Sequence, residues 1–255
     1  MKVGIITGAS SGMGAETARQ VGNQFKEIEE LWLVARRQDK LLNLKQEIES
    51  KFNVNVRIFS IDLTNKEKRE VLRERLQQEN PEVILLVNCA GYGIIGPFSQ
   101  GTVTEQTGMV DVNCEPLVWS TYVVLPYMKK GSYVIEYASG SAFLPQPYFT
   151  VYAATKAFVL HFSYGIRGEL KNKGISVTAI CPGPVKTDFF SVAQTHKQLS
   201  PIKKIFLADA KKVVEKALKE SKKRKSISTY GWSIKLLHFI SHFMPKAFFA
   251  YIMGK

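Results

Sequence analysis

Short, continuously apolar runs alternate with longer stretches of helical spacing through most of the chain. The runs Val3 to Thr7, Leu31 to Ala35, Val54 to Ile61, Val83 to Asn88, Ser132 to Ser139 and Ile175 to Cys181 lack the every-second-residue alternation of a half-exposed strand. Strands of that kind are buried on both faces, as in a parallel sheet covered by helices. Between them, helical patterns are expected from about Gly12, over Lys40 to Lys51, from Asn65, over Val151 to Lys171 and over Asp209 to Ser221, and Ser226 to Thr229 adds a last strand. The βαβα period predicts an α/β fold: a doubly wound parallel sheet, with residues 1–255 forming a single domain. Ligands of such sheets lie beyond the carboxyl ends of the strands, so the loops after the strands are where chemistry is expected.

From Trp232 the pattern changes. Apolar residues at 232, 236, 237, 240, 243 and 244 lie opposite Lys235, His238, Ser241 and His242, which predicts an amphipathic helix. Pro245 interrupts it, and Lys246 to Met253 is a second, strongly apolar piece. This C-terminal helical extension, residues 231–255, must cover something: the core, a substrate pocket, a subunit interface or a membrane surface, the last as a weak contact. His238 and His242 have no third ligand in view and read as surface histidines.

Charge alters the picture at that same end. The net charge is +13, yet residues 1–190 hold 21 Lys/Arg against 19 Asp/Glu, while residues 191–255 hold 14 against 3. No nucleic-acid recognition motif is interleaved with the basic residues, so nucleic acid is excluded as a partner. An acidic substrate, an anionic membrane surface or a solvated helix ending in Lys222-Lys223-Arg224-Lys225 remain. Cys89, Cys114 and Cys181 are odd in number and lack metal-ligand spacing, so they read as reduced thiols and no metal is expected. No apolar run approaches the ~18 residues of a membrane span, and the N-terminus lacks a signal-peptide layout, so a cytoplasmic protein is expected.

Candidate chemistry follows three of the strands. Thr7-Gly8-Ala9-Ser10-Ser11-Gly12-Met13-Gly14 links the first strand to the first helix, and its glycines allow a pyrophosphate to approach backbone N–H groups at a helix N-terminus. At the end of the second strand, Leu33-Val34-Ala35-Arg36-Arg37 offers no carboxylate for a free ribose 2'-hydroxyl, and Arg36 can form a fork to a 2'-phosphate. NADP(H) is therefore expected over NAD(H). Tyr152 and Lys156 stand four apart, one turn of a helix, so a phenol and an ammonium can act on one reacting atom. A neighbouring cation favours the phenolate, which is expected to bring Tyr152 towards proton transfer at neutral pH.

With the glycine loop, these motifs resemble in order and spacing those of the short-chain dehydrogenase/reductase family over roughly residues 1–190. Thr7 to Gly14 resembles its Thr-Gly-x-x-x-Gly-x-Gly. Asp62, followed by Leu63, resembles the acidic residue that holds the adenine ring, and Asn88-Cys89-Ala90-Gly91 resembles the Asn-Asn-Ala-Gly turn with cysteine in second place. Pro182-Gly183-Pro184-Val185-Lys186-Thr187 resembles the turn that closes over the nicotinamide. The resemblance implies a Rossmann-type domain binding its cofactor through Gly8, Ser10, Ser11, Gly12, Met13, Gly14, Arg36, Asp62, Leu63, Asn88, Ala90, Gly91, Tyr152, Lys156, Pro182, Gly183, Val185 and Thr187. It implies a catalytic group of Asn113, Ser139, Tyr152 and Lys156. In it Tyr152 is the acid in reduction and the base in oxidation, Ser139 holds the carbonyl oxygen, Lys156 lowers the tyrosine pKa and binds the nicotinamide ribose, and Asn113 orients a proton-relaying water.

The loop from Gly140 to Thr150 is rich in bulky apolar residues, and Asp188-Phe189-Phe190 follows the Pro-Gly turn, where the resemblance places a substrate lid over 190–208. Ser139, Phe143, Leu144, Tyr148 and Phe189 are the expected substrate contacts, around a small-molecule apolar ketone or alcohol. The branch resembled holds hydroxysteroid dehydrogenases and 3-ketoacyl reductases, so a hydroxysteroid or bile acid is the first expectation and a long 3-ketoacyl chain the second. A protein of another class, a catalytically inactive NADP-binding or membrane-surface protein, is opposed by the intact tyrosine and lysine. Helices expected around 104–129 and 151–171 resemble those that pair subunits in the family, implying a homodimer or homotetramer.

Overall fold

The computed structural model describes residues 1–194, 196 and 207–254. Seven strands form one sheet in the order β3-β2-β1-β4-β5-β6-β7, all parallel. They are β1 (Lys2–Thr7), β2 (Glu30–Ala35), β3 (Asn55–Ser60), β4 (Glu82–Asn88), β5 (Tyr133–Tyr137), β6 (Ser176–Pro182) and β7 (Ile227–Tyr230). The sequence order reverses between β1 and β4, so the crevice beyond these two strands is where a ligand belongs.

Burial on both faces explains the unbroken apolar runs. Ile6, Leu31 and Leu33 pack with Ala18 and Val21 of α1 (Gly12–Gln24), with Phe25 just after it, and with Leu41 and Ile48 of α2 (Gln38–Lys51). Their neighbours Ile5, Trp32 and Val34 point the other way, onto Leu72 and Leu76 of α3 (Glu70–Glu79) and Val124 of α5 (Glu115–Val124). The remaining helices are α4 (Val103–Asn113), α6 (Thr150–Leu170), α7 (Phe189–Ala193), α8 (Ala210–Lys222), α9 (Trp232–Ile240) and α10 (Lys246–Gly254). No described helix is long and apolar enough to cross a membrane.

Three expectations are corrected. The helix expected from Asn65 starts at Glu70, because the Asn65 side chain accepts from the N–H groups of Glu67 and Lys68 and holds a turn there instead. The long helix expected over 104–129 is two helices meeting at Cys114. Pro116 has no N–H to return to Val112, so the helical ladder cannot run through. Third, α9 and the turn after it follow their simple amphipathic reading only in part: Leu237, Ile240 and Met244 turn inward as expected, but other positions do not. His238 is half-buried, its ring stacked on Phe143 with centres 4.4 Å apart, while Trp232, Leu236, Phe239 and Phe243 face outward. Of the region expected to form a lid, residue 195 and residues 197–206 lie outside the described residues.

Candidate active site

The glycine loop is built around close backbone approaches. Gly8 and Gly12 have φ of +68° and +54°, a region that favours glycine, and a Cβ on Gly14 would sit 2.2 Å from the Gly8 carbonyl oxygen. No side chain caps α1, and its first backbone bond is Ala15 N–H to the Ser11 carbonyl, so the preceding amides are turned to the cleft. This uncapped turn with its dipole fits the pyrophosphate of a dinucleotide. Arg36 extends from the end of β2 with Nη1 3.8 Å from Asp62 Oδ2. Arg37, given no role from sequence, reaches back over the loop: Nη2 donates to Ser10 Oγ at 3.0 Å and to Ser11 Oγ at 2.5 Å. Two guanidinium groups thus border the place where an adenosine 2'-phosphate would lie. Asp62 and Leu63 line the cleft beside Arg36.

After β4 the expected contacts divide. Ala90 and Gly91 line the cleft, but Asn88 does not. Its side chain is buried and donates from Nδ2 to Thr121 Oγ1 at 3.0 Å and Glu136 Oε1 at 3.1 Å, while its Oδ1 accepts from Ser120 Oγ at 2.7 Å. Asn88 therefore ties β4 to β5 and α5 behind the cleft. Glu136 is wholly buried, burial pushes its carboxyl up to about 8, and its Oε2 has no partner among the described residues. Asn113 also sits behind the wall. Its Oδ1 accepts from Tyr92 N–H and its Nδ2 donates to the Tyr92 carbonyl, each at 2.9 Å, and Nδ2 donates to Thr155 Oγ1 at 2.9 Å. A Cβ on Gly91 would meet Asn113 Oδ1 at 2.9 Å and Lys156 Nζ at 3.3 Å, which places the amide and the ammonium side by side.

Ser139 follows β5, and Tyr152 and Lys156 lie on the first turns of α6, facing it. The Ser139 hydroxyl neighbours the Tyr152 phenol and acts to lower its pKa, and Ser139 Oγ accepts from Ser141 N–H at 3.1 Å. The phenol ring is stacked on Phe149 with centres 4.2 Å apart and flanked by Phe189 at 5.4 Å. Burial there holds Tyr152 above the ordinary tyrosine range, partly offset by the neighbouring Ser139 hydroxyl, so the group stands ready as a protonated acid. This differs from the expected lowering by Lys156, whose Nζ lies 5.7 Å from the ring centre and donates instead to the Tyr137 carbonyl at 2.7 Å. Burial lowers Lys156 from its own ordinary range. Burial likewise pushes the Cys89 thiol up to about 12, so it is a neutral wall group rather than a nucleophile.

A cavity of about 760 Å³ joins these parts, running from the glycine loop past Ser139, Tyr152 and Lys156 to an apolar end. Pro182, Gly183, Val185 and Thr187 line it from the loop after β6, with Thr187 Cβ only 3.4 Å from a Cβ placed on Gly12. Of the expected substrate contacts, Ser139, Tyr148 and Phe189 are on the wall. Phe143 and Leu144 are not, since both are buried, Phe143 against Leu117, Val159 and Leu160. The apolar end is completed by Phe149, Ile234, Leu237 and Met253. The last three come from α9 and α10, where sequence reasoning left the substrate pocket open as one option for what the extension covers.

Comparison with known proteins agrees with this geometry. The family model described as short chain dehydrogenase matches residues 2–198. An uncharacterized oxidoreductase of Staphylococcus saprophyticus is 32% identical over 188 residues, covering 73% of this chain and 79% of that protein. The very-long-chain 3-oxoacyl-CoA reductase of Kluyveromyces lactis is 29% identical over 245 residues, 92% of this chain and 69% of that one. The structure of a short-chain dehydrogenase from Sphingobium yanoikuyae in complex with NADPH superposes with a TM-score of 0.79 at 27% identity, over 90% of this chain and 87% of that chain. With its parallel sheet and glycine loop, this chain belongs to the short-chain dehydrogenase family and is an oxidoreductase.

Proposed function

We propose that the protein is an NADP(H)-dependent oxidoreductase that interconverts a ketone and a secondary alcohol on a bulky apolar substrate. The observation that carries this is the placing of Ser139, Tyr152 and Lys156 together on the wall of one cavity that runs from the anion cradle to an apolar end. The bound nicotinamide supplies or accepts the hydride. Ser139 and Tyr152 hold the carbonyl oxygen between two hydroxyl groups, and Tyr152 donates its proton to that oxygen as negative charge develops. Lys156, one turn along α6, sets a positive charge behind the phenolate that remains, and Asn113 fixes the Tyr92 backbone beside that ammonium. Phe149 and Phe189 keep water from the ring.

Arg36 and Arg37 support NADP(H), since their two guanidinium groups border this end of the cleft, with one carboxylate, Asp62, beside Arg36. A long-chain 3-ketoacyl substrate is supported by the likeness to the Kluyveromyces lactis reductase, which covers 92% of this chain. A hydroxysteroid or bile acid is the other reading, favoured by the broad aromatic end of the cavity. Exposed Val118 and Tyr122 on α5 and Phe158 on α6 support a homodimer or homotetramer, and free thiols support a cytoplasmic location. The test is a panel of long-chain 3-ketoacyl thioesters and steroid ketones with NADPH and with NADH. Turnover of one apolar class with NADPH is expected. Turnover of small polar ketones alone refutes the substrate reading, and NADPH binding without any turnover would mark a catalytically inactive binding protein.

A further inference from the structure

The outward face of the C-terminal extension is too apolar to stand in water unexplained. Trp232, Phe239 and Phe243 are 70%, 64% and 75% exposed, and with Leu236 they form a single stripe along α9 and its C-terminal turn. Phe248 and Ile252 of α10 are exposed as well. On a monomer surface such a contiguous patch marks an interaction site. On α9 and α10 themselves the charge has one sign: Lys235 and Lys246 are exposed, and neither helix carries Asp or Glu.

Aromatic side chains rimmed by cations suit the interface of an anionic bilayer, where the rings enter the headgroup and acyl boundary and the lysines meet the lipid charge. A second copy of this chain is disfavoured by the same charge, since a two-fold contact would set Lys235 and Lys246 near their own equivalents. The opposite side of these two helices meets the cavity: Ile234 and Leu237 of α9 and Met253 of α10 line its apolar end, and Met253 is itself partly open to the exterior. We infer that α9 and α10 seat the protein on an anionic lipid surface, holding the apolar end of the cavity against the membrane. Neither helix is long enough to span, so the attachment is peripheral.

The test is sedimentation of the full chain with vesicles of phosphatidylcholine, with and without phosphatidylserine, beside the double variant Phe239→Glu/Phe243→Glu. Neither residue touches the cavity, so the variant keeps its activity on a water-soluble ketone and its thermal transition, which guards against misfolding. The wild type is expected to pellet with the phosphatidylserine vesicles and to release as salt rises, and the variant to partition at least about tenfold less. Equal pelleting of wild type and variant, absence of wild-type pelleting, or equal pelleting with neutral and anionic vesicles overturns the inference. So does a wild-type dimer that the variant splits without any vesicle binding, which would assign the face to a second copy. None of these readouts depends on turnover, so they stand apart from any failure of the proposed reaction.

Discussion

Glu136 gives the sharpest quantitative prediction. Its carboxyl is fully buried on β5, held through Oε1 by Asn88 and Thr121, and burial moves it from an ordinary 4.5 to about 8. Between those two values the unfolded chain carries a carboxylate and the folded chain a carboxylic acid. The folded state then binds one more proton, and stability must fall as pH rises. The slope from this one group is about 1.4 kcal/mol per pH unit, so the stabilisation present below pH 4.5 is lost by pH 8 to the extent of roughly 4 kcal/mol. Glu136→Gln keeps an acceptor for Asn88 and Thr121 and cannot ionise. Near pH 5 its amide, placed where Oε2 has no partner, should cost about 1 kcal/mol. Near pH 8 the order reverses and the variant should be the more stable by several kcal/mol, on the order of the loss just given. Urea unfolding of both proteins from pH 5 to 8.5 measures this, and the difference between the two curves cancels the other titrating groups. Parallel curves would show that Glu136 ionises at an ordinary pH and that its burial is compensated by something else.

Other predictions are more direct. Tyr152→Phe should keep NADPH binding by fluorescence and lose about 10²- to 10⁴-fold in turnover; a rate near wild type would send the search for the acid elsewhere. Arg36→Ala and Arg37→Ala should each weaken NADPH far more than NADH in titration calorimetry, and equal losses would refute the 2'-phosphate assignment. Gly93→Ala places a Cβ 2.5 Å from Tyr152 Cδ2 and 2.8 Å from the Phe149 ring, so kcat should fall while NADPH affinity holds; an unchanged kcat would mean that the stack yields freely.

The sheet was readable because its central strands are buried on both faces, a demand that shows directly in composition. The expected Leu31 to Ala35 became Glu30–Ala35, and Ile175 to Cys181 became Ser176–Pro182. The spacing of glycines and of Tyr152 with Lys156 was readable for a similar reason, since backbone approach and helical pitch leave few other solutions. Less visible were features settled by three-dimensional competition. Periodicity shows that α9 has two unlike faces, but the Phe143 ring offers the His238 imidazole a stacking partner, and that contact turns His238 inward as well. Phe143 and Phe149 are chemically alike and six residues apart, yet the turn that gives Tyr148 φ of +64° sends only the second onto the cavity wall. Arg37 and Glu136 were passed over because their roles come from partners distant in the sequence, Ser10 and Ser11 for the first and Asn88 and Thr121 for the second.

The strand order also shapes how the chain can be made. β1 pairs on one side with β2, about 27 residues later, and on the other with β4, with Thr7 opposite Asn88. During synthesis the first three strands can assemble early, but one edge of β1 then stays open, with Val3 and Ile5 uncovered, until β4 leaves the ribosome. The centre of the finished sheet is therefore the sticky rim of the nascent one. The interval is when the chain is most prone to pair with another copy of itself, and a chaperone would have most to protect.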